Sequence, residues 1–174
     1  MNVFYLHHLP PIAASYHCDK HVGKMLIESC QLLATAHHEF GNGDKVSYRP
    51  THKNHPSAIW TRSSRLHYMW VSDLARFLGR EFFWRYGHTH KSFNVLMTEL
   101  LYPPPGMYDL PLLWQDPPQA MPDEYKHSDT IVAYHRYYAS KSATMPLVYG
   151  KGSRQQPIWL RDLLAQQQPM LEAA

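Results

Sequence analysis

Apolar side chains recur every three to four residues along two long stretches of the chain, and each stretch predicts a helix. The first runs from Pro10 and Pro11, which suit an opening helical turn, to about His38, in one piece or two. The second runs from about Ser64 to Tyr86, with Leu66, Trp70, Leu74, Phe77 and Trp84 on its apolar side and Gly87 as its stop. A short helix carrying Trp60 starts at Pro56, and further helices span about Lys91–Tyr102 and Asp129–Ala143. Pro157 opens a last helix, whose Gln-rich end is expected to fray. Between them, Gly41–Asp44 is a turn and residues 46–55 look extended. Residues 2–6 form a short apolar run, either a strand or a tucked arm.

The fold class that follows is mainly α, a compact single-domain bundle of about five helices. It has a short extended N-terminal arm and a long Pro-rich packed loop. A chain of 174 residues is a natural size for one core. We divide residues 1–174 into a helical core over about 11–102, a Pro-rich connection over 103–126, and C-terminal helices over 127–168. The connection carries Met107, Leu110, Leu112, Leu113 and Trp114, too apolar for a linker between domains, so it is expected to pack. There is no internal repeat.

Composition changes this picture mainly through histidine. Charged residues are 18% of the chain and hydrophobic residues 44%, while there are 13 His scattered through it. The formal charge of +3 permits a nucleic-acid partner or an anionic substrate without requiring one. Cys18 and Cys30 lie twelve residues apart on one expected helix, about 18 Å, so they do not pair. No apolar stretch is long enough for a membrane span, and no secretory signal is recognisable at the start. The expectation is a cytoplasmic protein without a membrane partner, its oligomeric state open.

On an ideal helix His17, His21, Lys24 and Glu28 fall within about 40° of one another. Val22, Met25, Leu26, Leu33 and Ala36 occupy the other side. The polar stripe is rich in groups with chemistry and poor in plain solvating charge, although a Glu and a Lys at this spacing also suit an ordinary exposed face. If it lines a pocket, Glu28 is a general acid/base, His17 or His21 a proton shuttle, and Lys24 a phosphate ligand or an amine nucleophile.

A second group lies in Thr51–Trp60, where Asn54 and His55 precede Pro56, placed either to receive a phosphate or simply to cap a helix. Glu81 and Arg85, four apart, read as a structural ion pair. His90 and Lys91 follow the Gly87 stop, where phosphate contact and structural compensation of the helix dipole are both plausible readings. Tyr134-His-Arg-Tyr-Tyr138 sets aromatic rings beside Arg136 and Lys141, suited to base stacking and phosphate contact or to an aromatic core with a basic rim.

The strings Tyr16-His-Cys-Asp-Lys-His21 with Lys24-Met and Glu28, Asn54-His-Pro-Ser with Trp60, Arg85-Tyr-Gly-His-Thr-His-Lys91, and Met121-Pro-Asp-Glu-Tyr-Lys126 resemble a set of small phage and bacterial proteins. More loosely, residues 16–93 are similar to the pyrimidine-dimer DNA glycosylase family. That resemblance implies an all-helical enzyme. In it, an N-terminal amine, assisted by a helix-borne glutamate, cleaves a glycosidic bond through an imine and then nicks the strand. Carried over, Glu28 is that glutamate, and His55 and Arg85 approach the DNA or the active site. This chain departs from the family in beginning Met-Asn, which does not favour removal of Met1, and in replacing an Arg-rich first helix with His and Lys. The amine would then be that of Met1, or Lys24 would serve, or the imine route would not apply.

The reading that results is a DNA- or nucleotide-acting enzyme of glycosylase, lyase or base-modifying type, with no cofactor expected. Its catalytic candidates are Glu28, Lys24, His21 and His17, and Asn54, His55, Arg85, His90, Lys91 and Arg136 would bind nucleic acid or phosphate. One alternative is a metal-dependent hydrolase, of phosphoesterase or nuclease type, holding a divalent metal through His17, His21, His55 and His90. Another is a non-catalytic phage protein that binds a host factor.

Overall fold

Ser64 and Gly87 bracket the longest helix by local chemistry. The Ser64 hydroxyl accepts from the amide of Leu66 at 3.2 Å, and Gly87 closes the other end at φ +74°. In the computed structural model, which describes residues 1–171 and side chains through Gln166, seven α-helices and no strands are present among the described residues. They are α1 (Pro10–Ser15), α2 (Asp19–Glu39), α3 (Pro56–Ser63), α4 (Arg65–Tyr86), α5 (Lys91–Val95), α6 (Thr130–Ala139) and α7 (Ile158–Leu171). The expected fraying of the chain end lies outside the described residues.

The centre is the packing of α2 against α4, with α1 and α3 on their flanks. Val22, Met25, Leu26, Leu33 and Ala36 of α2 are all buried, as their spacing predicts. They meet Val71, Leu74, Ala75 and Leu78 of α4 in one core. The expected third helix, to Tyr102, is shorter: α5 gives way at Leu96 to a π turn over Leu96–Leu100 that buries Leu96 and Leu100.

The helix starting at Pro10 comes in two pieces, one of the two forms expected, and the break at Tyr16–Cys18 leaves His17 outside α2. Residues 46–55 contain no strand but a looped segment. Trp84 is not core: it is 66% exposed, and its indole N–H donates to Gly152 O at 2.7 Å. The Pro-rich connection packs unevenly, with Met107 fully buried and Leu112 and Leu113 exposed.

The apolar start of the chain is a tucked arm. Val3, Phe4, Tyr5 and Leu6 are buried, and Phe4 adopts φ +40°. That left-handed backbone is costly for a side chain with a Cβ. The cost is met by packing: Phe4 stacks on His21 and Tyr137 and meets Tyr138 edge-on. The arm therefore joins the beginning of the chain to α2 and α6.

Candidate functional site

Asn2 fixes where the arm ends. Its side-chain amide donates to Ala120 O at 3.1 Å, and its Oδ1 accepts from the Phe4 amide at 2.9 Å. Its own backbone N–H donates to Glu28 Oε2 at 2.9 Å. The head of the chain thus lies against the carboxylate of α2 that the sequence marks out. The Lys24 ammonium stands 3.8 Å from the other Glu28 oxygen. Lys24 is open to solvent and Glu28 is mostly covered.

The loop before α3 is laid along the same helix. Thr35 Oγ1 accepts from the Thr51 amide at 3.1 Å, with its own proton directed to Gln31 O at 2.7 Å and Thr51 O also within 3.1 Å. From that anchor the chain runs back to His55, the N-cap of α3, whose Nδ1 accepts from the Ser57 amide at 3.1 Å. Burial lowers the pKa of His55 first, followed by the positive charges of the N-terminal amine and His52, with Glu28 opposing.

The stripe itself is not continuous. His17 is fully buried; its Nδ1 donates to Ala13 O at 2.8 Å, and its Nε2 has no partner among the described residues. Burial, and then the neighbouring His21, push its pKa down to about 3. His21 is 3% exposed and its Nδ1 is bonded to the Tyr138 hydroxyl at 2.9 Å. Since Tyr138 Oη accepts from the Cys18 amide at 2.8 Å, it is free to donate its own proton to His21. Burial, then Lys24, Lys141 and Lys20, lower the pKa of His21 to about 4. Two elements far away in sequence, the arm through Phe4 and α6 through Tyr138, cover the first turn of the stripe. His17 and His21 are thereby corrected from pocket-lining proton shuttles to enclosed core groups. Only Lys24 and Glu28 of the stripe reach the surface.

Arg85 is also corrected. Its side chain is fully buried and its donors are spent on protein: Ser15 O at 3.1 Å, His17 O at 2.8 Å, Asp19 Oδ1 at 3.1 Å and Glu81 Oε2 at 3.1 Å. Glu81 is shared with Arg154, and Asp19 Oδ2 accepts from the amides of Gly150 and Lys151. This network ties residues 150–154 to α2 and α4. It leaves Arg85 no donor for DNA.

The other candidates are dispersed. Asn54, Lys91 and Arg136 are exposed. His90 caps α5, accepting from the Ser92 amide at 3.1 Å, and its ring borders Gly23 of α2. Of the Tyr134–Tyr138 cluster, Tyr134 and Tyr138 are core, while Lys141 sits 3.7 Å above the ring of half-buried Tyr137. The four histidines of the metal reading do not meet at one point. Among the described residues no group of three or more His, Cys, Asp or Glu converges as metal ligands.

The sequence reading passed over Asn2 and Lys20, and named Lys141 only beside the Tyr134–Tyr138 rings. Lys20 was within reach of it: Lys20, Lys24 and Gln31 recur at helical spacing on the outer side of α2, and both lysines are exposed. No helix among the described residues is long and apolar enough to cross a membrane. No protein-family model matches the chain, nor does any curated protein or any solved structure.

Proposed function

We propose that this chain acts on DNA, cleaving the glycosidic bond of a modified or damaged base through an imine formed by an amine beside Glu28. The observation that carries the reading is the 2.9 Å contact of the Asn2 amide with Glu28, which puts the amine of Met1 one residue from a mostly covered carboxylate. The exposed Lys20 and Lys24, with Lys141 close by, supply positive charge for a phosphate backbone.

The chemistry runs in two stages. The neutral amine attacks C1′ of the deoxyribose, the C1′–N bond breaks, and the base leaves with the bonding electrons and takes up a proton. Opening of the sugar ring then gives the imine, with O4′ taking a proton from the nitrogen. In the second stage a C2′ proton is removed, the 3′ phosphate leaves, and water releases the amine. In this reading Glu28 carries the protons in these steps.

Borohydride reduction in the presence of an abasic-site duplex tests the reading, because it turns an imine into a stable protein–DNA bond. A trapped adduct on the first residues, lost in Glu28→Gln, is the expected result. An adduct on Lys24 would move the nucleophile. No adduct on any abasic or damaged duplex would sink the proposal.

A further inference from the structure

Helix α4 is apolar on two opposite sides. Val71, Leu74, Ala75 and Leu78 are fully buried in the core. Met69 lies about 180° around the helix from Leu78, with Leu66 one turn before it. Leu66 and Met69 are shared by two open hollows. Arg65, Tyr102, Tyr108 and Leu112 wall one of them, and Leu9, Trp70, Asp73 and Trp114 wall the other. Leu9, Tyr102, Tyr108 and Leu112 are each more than half exposed, and Leu66 and Trp114 are 39% and 41% exposed. These side chains leave an apolar patch on the order of 600 Å², at the upper end of what a lone monomer shows. A helix that is apolar on both sides is ordinarily covered on both.

The charges on this face are placed symmetrically. Arg65, Met69 and Asp73 are four residues apart and form one row along α4. The Arg65 guanidinium lies over the Tyr108 ring, 4.9 Å from its centre, and its Nε has no hydrogen-bond partner among the described residues. Arg65 makes no ion pair among the described residues. Asp73 accepts from Arg76 at 2.8 Å through Oδ1, and 37% of its side chain is exposed. The row thus carries a cation four residues before Met69 and an anion four residues after it.

We propose that this face binds a second copy of the chain, with the two α4 helices antiparallel and a two-fold axis beside Met69. Rows of residues four apart lie side by side when two helices cross at about 50°. Under the two-fold, a residue before Met69 meets the residue equally far after it in the other copy. Arg65 then reaches the partner's Asp73, and Asp73 the partner's Arg65, so one surface supplies two ion pairs. A second copy meets this charge pattern by construction, and it brings an apolar patch of the same size. A standard interface covers about 800 Å² on each side, which the patch and its charged rim match. Dimerisation through α4 is independent of the chemistry at Glu28.

Sedimentation equilibrium of the full chain over a dilution series tests the dimer. The wild type is expected to reach twice the 20.3 kDa of one chain. Arg65→Asp sets like charges against each other at both pairs, and Asp73→Arg does the same with the opposite sign. Each is expected to weaken dimerisation by about tenfold or more. Mixed in equal amounts, the two variants are expected to recover wild-type affinity as a heterodimer, because both pairs are again of opposite sign. Both positions are partly exposed, so each variant alone is expected to keep the circular dichroism of the wild type. Met69→Lys, which sets two cations at the axis, is expected to be monomeric and replaces any charge variant that loses structure. A wild type that stays monomeric on concentration overturns the proposal. So do an assembly larger than two, a dimer that these substitutions leave intact, and a mixture no tighter than its components.

Discussion

The Asn2 amide and the Glu28 carboxylate are joined by a 2.9 Å hydrogen bond across 26 residues of chain, and the Asn2 side chain is what holds them there. Asn2→Leu keeps the size and deletes both side-chain bonds, to Ala120 O and from the Phe4 amide. The expected loss is about 1–3 kcal/mol, since the backbone partners are left without theirs. The rate of imine trapping is expected to fall further than DNA affinity, because the amine loses its register and the lysines do not. Urea unfolding and single-turnover trapping read the two effects, and an unaltered trapping rate would show that Asn2 does not position the amine.

Arg85 is expected to govern stability and not DNA binding. Arg85→Met removes the shared partner of Asp19 and Glu81, both buried. Breaking such a pair by deleting one member costs about 3–5 kcal/mol. Denaturant unfolding should show that loss, while DNA affinity per folded molecule stays within error of the wild type. A variant that folds normally but binds DNA poorly would return Arg85 to the nucleic-acid interface.

The two core histidines make the protein acid-sensitive. Their folded-state pKa values of about 3 and about 4 lie below the ordinary value near 6.5. Between those limits the unfolded chain holds protons that the folded chain refuses. Stability therefore falls as pH drops below about 6.5 and stops falling only near the folded values, by about 1.4 kcal/mol per pH unit for each ring. Urea unfolding at about pH 7 and about pH 5 measures the slope, to which His37, His55, His67, His90 and His135, also lowered by burial, add; His21→Phe should remove one ring's share, about 1.4 kcal/mol per pH unit. A flat profile would mean that neither ring is held neutral by burial.

Gly79 inverts a general rule. Glycine to alanine in a helix interior usually gains about 1 kcal/mol. At Gly79 the new Cβ would lie 2.0 Å from the Phe93 ring, which packs across α4. Gly79→Ala is therefore expected to lower the melting temperature, and a double variant with Phe93→Ala to recover part of it. A rise in melting temperature for the single change would show that Phe93 moves aside freely.

What was legible in the sequence was what is decided locally. The Ser64 cap, the Gly87 stop and the proline openings at Pro10 and Pro56 depend on a few adjacent residues, and each sits where its chemistry puts it. The apolar side of α2 was equally plain. The polar side was not, because helical spacing says which residues share a face and not what covers it. His17 and His21 share a direction with Glu28 but lie beneath Phe4 and Tyr138, one before α2 in the chain and the other more than a hundred residues after. Glu81 as a partner of Arg85 was visible at four residues' distance. Asp19, 66 residues away, was not.

The buried arm also bears on how the chain is made. Leu6 O accepts from His135 Nε2 across 129 residues, and Tyr16 O accepts from the Tyr149 hydroxyl across 133. Residues 2–6 therefore occupy a slot whose walls are synthesised more than a hundred residues after them. They stay apolar and uncovered until that later stretch has been made, an interval in which exposed apolar surface invites misassociation. Closure of the core and the seating of Asn2 against Glu28 then become one late event, so that a chain in which α6 is still missing lacks an assembled site.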